Sequence, residues 1–221
     1  MNTTTQKNDF NAPTVPVADP MDGLLQVKHL SNPIGVDIRI WNGMRAGYFM
    51  QLLLNGDLIG PVWTMSDTDK PGDVVSMAIE PSHLLDEGHY TLGYRATNDK
   101  SLLHNDSETI PLIVDRSAPG GPLLAPVMLA SACFGEFLKA RISGYTGLTA
   151  GDMIQTVCNG THGPAYRIHP ENLTTLPIEI AFTREFLEGL FSDKINITYH
   201  VTDRAGNRSI LAQSVELTLQ R

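Results

Sequence analysis

Two cysteines and seven histidines are the side chains of this chain best suited to nucleophilic or metal chemistry. Their spacing supports neither. Cys133 and Cys158 lack the C-x-x-C separation of a zinc or redox site. His29, His83, His89, His104, His162, His169 and His200 form no H-x-x-x-H or H-E-x-x-H pattern. Cys158 and His162 could be built into a thiol–imidazole pair, but a thiol nucleophile also needs an oxyanion site, which nothing in the sequence supplies. No G-x-S-x-G occurs, and no phosphate-binding glycine loop precedes a helix. The two cysteines read as buried apolar thiols, with a disulfide between them as the alternative. Asp67, Asp69 and Asp73, with Gly72 among them, place three carboxylates in seven residues. That run lacks the distal Glu of an EF-hand and reads as a solvated acidic turn. The sequence thus predicts no enzyme and no resident cofactor.

The elements that position these residues occur twice. Residues 41–56, WNGMRAGYFMQLLLNG, match residues 145–160, YTGLTAGDMIQTVCNG, at an offset of 104 without a gap. Six of the sixteen positions are identical: Gly43/Gly147, Ala46/Ala150, Gly47/Gly151, Gln51/Gln155, Asn55/Asn159 and Gly56/Gly160. Average composition would give roughly one. The match continues through Gly60-Pro61-Val62-Trp63 and Gly163-Pro164-Ala165-Tyr166 at offset 103. It runs on through Tyr94–Asn98 and Tyr199–Asp203 and ends with Ile110, Leu112 and Val114 on Val215, Leu217 and Leu219, at offset 105. Internal repeats of this kind set the architecture, here two modules of about 100 residues, near the usual domain size.

Within each copy, period-two alternation marks short strands, as in Val36–Ile40, Tyr90–Ala96, Ile195–Val201 and Val215–Leu219. Asn55-Gly56 and Asn159-Gly160 predict type I′ hairpin turns, whose two central residues need positive φ. About seven strands per copy with frequent turns predict an all-β fold of two tandem immunoglobulin-like β-sandwiches. One short helical turn per copy is expected, at 81–85 and 183–190. The expected organisation is an extended arm or linker over 1–20, a first domain over 21–115, a junction over 116–121 and a second domain over 122–221.

A hydrophobic fraction of 42% and a charged fraction of 18% belong to ordinary globular protein. The net charge of −8 argues against a nucleic-acid or anionic-membrane partner. No apolar run reaches the length of a membrane span, and residues 1–9 lack the apolar core of a signal peptide.

Three segments carry a family resemblance. Asp86-Glu87-Gly88-His89-Tyr90 looks like the turn of immunoglobulin-like domains in which a Tyr bonds back across a corner. Thr202-Asp203-Arg204-Ala205-Gly206-Asn207-Arg208-Ser209 resembles the last hairpin of bacterial Ig-like repeat modules, which occur in tandem in large adhesins and surface or secreted proteins. Asp115-Arg116-Ser117-Ala118-Pro119 resembles their intermodule junction. The resemblance implies a structural, spacer or adhesive segment, outside the cell or on its surface, within a longer repeat array. The first copy departs from the pattern: Asn98-Asp99-Lys100-Ser101 lacks Ala-Gly-Asn, and its loop is rebuilt through Leu102–Asp106.

Binding, if present, is expected on loops, with a protein or glycan ligand. Asp99, His104 and Asn105 lie on the rebuilt loop. Trp63 is the aromatic candidate for stacking on a sugar, set against its use in the core. Such a sandwich also places the last hairpin of the second module near the end of the first. Asp115, Asp203 and Asn207 are therefore the residues expected to converge on calcium, with turn capping as the plainer use of the same groups.

Overall fold

A computed structural model describes residues 10–129 and 135–219. Its contacts divide the chain into two compact units, Met1–Asp115 and Arg116–Arg221.

The first unit contains β1 (Leu24–Leu25), β2 (Ile34–Arg39), β3 (Phe49–Leu54), β4 (Asp57–Thr64), β5 (Val74–Ile79), β6 (Gly88–Thr97), β7 (His104–Asp106) and β8 (Ile110–Val114). One sheet runs β1-β8-β6-β3-β4, with β7 also on β6; the other is β2-β5. Alternation makes these strands two-faced. Ile34, Val36 and Ile38 of β2 are buried while Gly35 and Arg39 are exposed. Val75, Met77 and Ile79 of β5 do the same across the pair. Opposite them lie Met50, Leu52, Leu92, Tyr94 and Leu112, all close to fully buried. Each such side chain stabilises by roughly 1.5–3 kcal/mol.

The second unit contains β9 (Met128–Leu129), β10 (Phe137–Ile142), β11 (Met153–Cys158), β12 (Thr161–Arg167), β13 (Ile178–Thr183), α1 (Arg184–Glu188), β14 (Lys194–Thr202) and β15 (Val215–Thr218). Its sheets are β13-β10-β9 and β12-β11-β14-β15. Ile154, Ile180, Phe182, Ile195, Ile197 and Tyr199 form the centre of its core. The expected helical turns are present as a single turn at Pro81–His83 and as α1. Thr183 caps α1 by accepting the Phe186 N–H at 3.2 Å, and Leu187 anchors it in the core.

One expectation is corrected. The described part of the predicted arm, residues 10–20, is built into the first sandwich. Thr14 exchanges two backbone hydrogen bonds with Asp37 of β2, at 2.9 and 2.8 Å. Val15 is 7% exposed within the core, and the Phe10 ring sits 4.4 Å from Trp41. The prolines at 13, 16 and 20 break this stretch into pieces, so it shows no strand periodicity, yet they do not detach it. It leaves β2 and rejoins at β1, which runs parallel to β8. In the second unit β9, at the corresponding place in the repeat, pairs with β10 instead.

Candidate functional site

The repeated residues prove to be scaffold, each for a definable reason. Asn55 and Gly56 have φ of 53° and 90°, and Asn159 and Gly160 have 49° and 83°, as a type I′ turn demands. The asparagines add a second role. The Thr91 N–H donates to Asn55 Oδ1 at 2.8 Å, and the Asn196 N–H donates to Asn159 Oδ1 at 2.8 Å. Each turn is thereby tied to the strand beside it. Gln51 and Gln155 sit at irregularities in the β3–β4 and β11–β12 pairings. Their Nε2 groups donate to the Gly60 and Gly163 carbonyls at 2.9 and 2.8 Å. Gly47 (φ 93°) and Gly151 (φ 101°) lie under the side chains of Asp99 and Arg204. A β-carbon there would stand 2.6 Å from Asp99 Oδ2, or 2.7 Å from Arg204 Cδ.

The Cys158–His162 pair is split by the sheet. Cys158 faces the core with no exposure, and burial pushes its thiol up to about 12. His162 is exposed. Cys133 lies outside the described residues. Trp41 and Trp63 both pack against the first core, and Trp41 contacts the rings of Phe10 and Tyr94. Their aromatic surface is thus largely engaged within the protein. In the acidic turn, Asp69 accepts from the Ser66 N–H and hydroxyl at 2.7 and 2.6 Å, and Asp73 accepts from the Lys70 N–H at 2.9 Å. The hydroxyl and backbone bonds from Ser66 hold the Asp69 carboxyl below the usual range.

Of the expected calcium donors, Asp115 ends the first unit, and Asp203 and Asn207 belong to the second. Asp203 Oδ1 accepts the Asn207 N–H at 2.8 Å, and Oδ2 accepts the Asn207 side-chain amide at 2.9 Å. Asn98, the repeat equivalent of Asp203, likewise accepts the N–H groups of Lys100 and Ser101 at 2.9 Å each. Both residues therefore close a turn. Among the described residues, no three His, Cys, Asp or Glu side chains are placed to hold a metal ion.

Asp99, His104 and Asn105 do come together on one hairpin, and Trp63 does not join them. Trp63 pairs with Met50, Met50 with Ala96, and Ala96 with Asn105. Three strand spacings, about 14 Å, lie between the first and last of that row. The hairpin is ordered by its own bonds. The Asn98 N–H donates to the Leu103 carbonyl, and the Leu102 N–H returns to the Asn98 carbonyl, both at 2.9 Å. Arg95 clamps Asp106 with two bonds of 2.6 and 2.8 Å, which holds that carboxyl below its ordinary range.

At the hairpin tip, Leu102 (φ 56°) and Leu103 are 68% and 74% exposed. A leucine in the left-handed region costs about 1–2 kcal/mol, and here it buries little in return. Sequence reasoning chose the polar residues of this loop and passed over the two adjacent leucines, an available signal. It weighed His162 only beside Cys158 and did not join it to His200 and Arg208, which the fold brings together with it from β12, β14 and the turn after β14.

The topology of both units defines a tandem of immunoglobulin-like β-sandwich modules. Among solved structures, the chain is similar to a bacterial ice-binding adhesin described for its host cell surface retention. Identity is 16% and the TM-score 0.48, over 95% of this chain and 64% of that one, so the chain spans under two thirds of the adhesin chain. It is also similar to the FN1–FN3 domains of chicken CNTN1, at 8% identity and a TM-score of 0.46, covering 96% and 68% of the two chains. A third likeness, to β-glucuronidase 3 of Bacteroides uniformis, has 13% identity and a TM-score of 0.27, covering 95% of this chain and 24% of the enzyme. No protein-family model matches the chain, and no curated protein matches it. Among the described residues no helix is long and apolar enough to cross a membrane.

Proposed function

We propose that the chain is a non-enzymatic adhesive or spacer segment of a bacterial surface or secreted protein, one stretch of a longer array of Ig-like modules. One observation supports adhesion over passive spacing: the hairpin 98–106 of the first unit. Its tip is ordered by internal hydrogen bonds, yet it presents Leu102, Leu103, His104 and Asn105 to solvent. The second unit manages without it, closing the corresponding turn between Asp203 and Asn207. The scaffold therefore does not require this hairpin, and a strained, exposed apolar tip fits contact with a partner. A ligand-binding module is the second reading. Two leucines favour a protein ligand over a glycan, whose hydroxyls call for polar groups and open aromatic faces.

The test compares retention of the purified chain on host-cell surfaces and glycan arrays with that of a Leu102→Gly/Leu103→Ser variant. The adhesive reading expects retention that the variant loses while its melting temperature does not fall. Retention that survives the variant overturns the hairpin as the contact. Absence of retention on every surface overturns adhesion in favour of spacing.

A further inference from the structure

We propose that His162, His200 and Arg208 form a binding site for a carboxylate group on the outer face of the second unit's four-stranded sheet. His200 on β14 pairs with Gln155 of β11, and His162 on β12 pairs with Val157 of β11. Gln155 and Val157 are two residues apart, so both histidines stand on one face. That face is opposite the one bearing buried Ile154, Thr156 and Cys158. The two imidazoles lie 6.4 Å apart, centroid to centroid. Arg208 reaches back from the bridge it makes with Thr202 and places Nη2 3.2 Å from His200 Nδ1.

The hydrogen-bond chemistry fixes what this trio can accept. A guanidinium only donates, so His200 Nδ1 is the acceptor and the neutral ring carries its proton on Nε2. That N–H has no hydrogen-bond partner among the described residues, and neither does the His162 ring. Arg208 forms no ion pair among them either. His200 is only 6% exposed, and its pKa is lowered by burial, then by Arg208, then by His162, with no carboxylate acting in the other direction. The site thus gathers one fixed positive charge and N–H donors with no acceptor to meet them. A metal ion is the wrong occupant, because Arg208 donates where a metal-bound histidine must itself donate, and its charge repels a cation. A single negative charge spread over two oxygens matches a guanidinium flanked by imidazole N–H donors.

The repeat shows the same position filled. His200 corresponds to Arg95, as each pairs with the repeated glutamine, Gln155 or Gln51. Arg95 is clamped by the carboxylate of Asp106, brought in by β7. In the second unit the pairing that corresponds to β7 is reduced to the Thr202–Arg208 bridge, which brings no carboxylate to His200. The first module supplies its own carboxylate at this point of the sheet. In the second, the donors are present and the carboxylate must come from a ligand.

The experiment titrates the full chain with acetate, glucuronate and N-acetyl-aspartate amide, following the histidine side-chain signals by NMR, with sulfate and glucose as controls. Saturable shifts confined to His162 and His200 are expected with the carboxylates. Arg208→Gln should weaken binding about ten-fold or more, as loss of a charged hydrogen bond does, and His162→Ala should weaken it less. Both side chains belong to exposed residues, so both variants should keep the wild-type melting temperature. Tighter binding of glucuronate assigns a sugar acid, tighter binding of N-acetyl-aspartate amide assigns an amino-acid carboxylate, and each supports the site. No saturable shift, equal binding of sulfate, or undiminished binding by both variants overturns it.

Discussion

Replacing the turn asparagines one at a time separates their two roles. In Asn159→Gly the positive φ of 49° is kept at no steric cost, and only side-chain bonds are lost. These are the Asn196 N–H to Oδ1 bond at 2.8 Å and the Nδ2 bond to the Lys194 carbonyl at 3.1 Å. Both are exposed, water replaces them in part, and the expected loss is about 1 kcal/mol. Asn159→Ala loses the same bonds and, unlike glycine, keeps a β-carbon in the left-handed region without the local hydrogen bonding that lets asparagine tolerate it, which adds about 1–2 kcal/mol relative to the glycine variant. For a unit of this size each kcal/mol lowers Tm by roughly 4–8 °C. Asn55 offers the same experiment in the first unit, where its Oδ1 accepts from Thr91. Both tryptophans, Trp41 and Trp63, lie in the first unit. Tryptophan fluorescence therefore follows the Asn55 series, and far-UV circular dichroism follows the Asn159 series. The expected order is wild type above Gly above Ala at both sites. Equal losses for Gly and Ala would refute the backbone argument, and an unshifted Gly variant would refute the cross-strand one.

Three further outcomes are expected. Thr183→Ala removes the cap of α1 and should cost the second unit about 1 kcal/mol in urea denaturation; Thr183→Ser should restore most of it. Leu102→Gly relieves a left-handed leucine that buries little, so the first unit should melt higher, by about 0.5–1 kcal/mol; a lower Tm would show that the side chain contributes packing. His200 has a lowered pKa in the folded state. As pH falls below about 6.5 the unfolded chain takes up the proton first, so the second unit loses stability from there down to the folded pKa. His200→Gln should flatten that slope in melts across the range, and an unchanged slope would assign it to another group.

The fold was legible because its signals are local. Asn-Gly pairs announce their turns, alternation announces strands such as β2 and β14, and self-comparison divides the chain. The Tyr90 corner was legible too: its hydroxyl donates to the Asp86 carbonyl at 2.7 Å. The first twenty residues misled because three prolines hide a strand pairing that only Asp37, distant in sequence, completes. The trio on the outer sheet stayed hidden for a related reason. His162, His200 and Arg208 have no spacing that marks them, and only the pairing of β12 and β14 with β11 makes them neighbours.

Duplication also changes how a site can be sought in a chain like this one. A residue kept in both copies has a structural use in both, as Gln51/Gln155 and Asn55/Asn159 show. Positions where the copies differ in charge while the backbone is the same are the informative ones. Asp99 and Arg204 cover equivalent glycines with opposite charge, so covering the glycine does not select the charge. Arg95 and His200 occupy one sheet position, the first paired with a carboxylate of its own module and the second with Arg208 instead. The charge balance follows the same division: residues 1–115 hold 7 basic and 15 acidic side chains, and residues 116–221 hold 9 of each. The entire net charge of −8 therefore belongs to the first module. Anionic ligands are repelled by the module that bears hairpin 98–106 and are tolerated by the one that bears Arg208. The two modules share a scaffold and differ in the net charge they carry. Raising ionic strength should accordingly weaken carboxylate binding at Arg208 more than any contact made by Leu102 and Leu103.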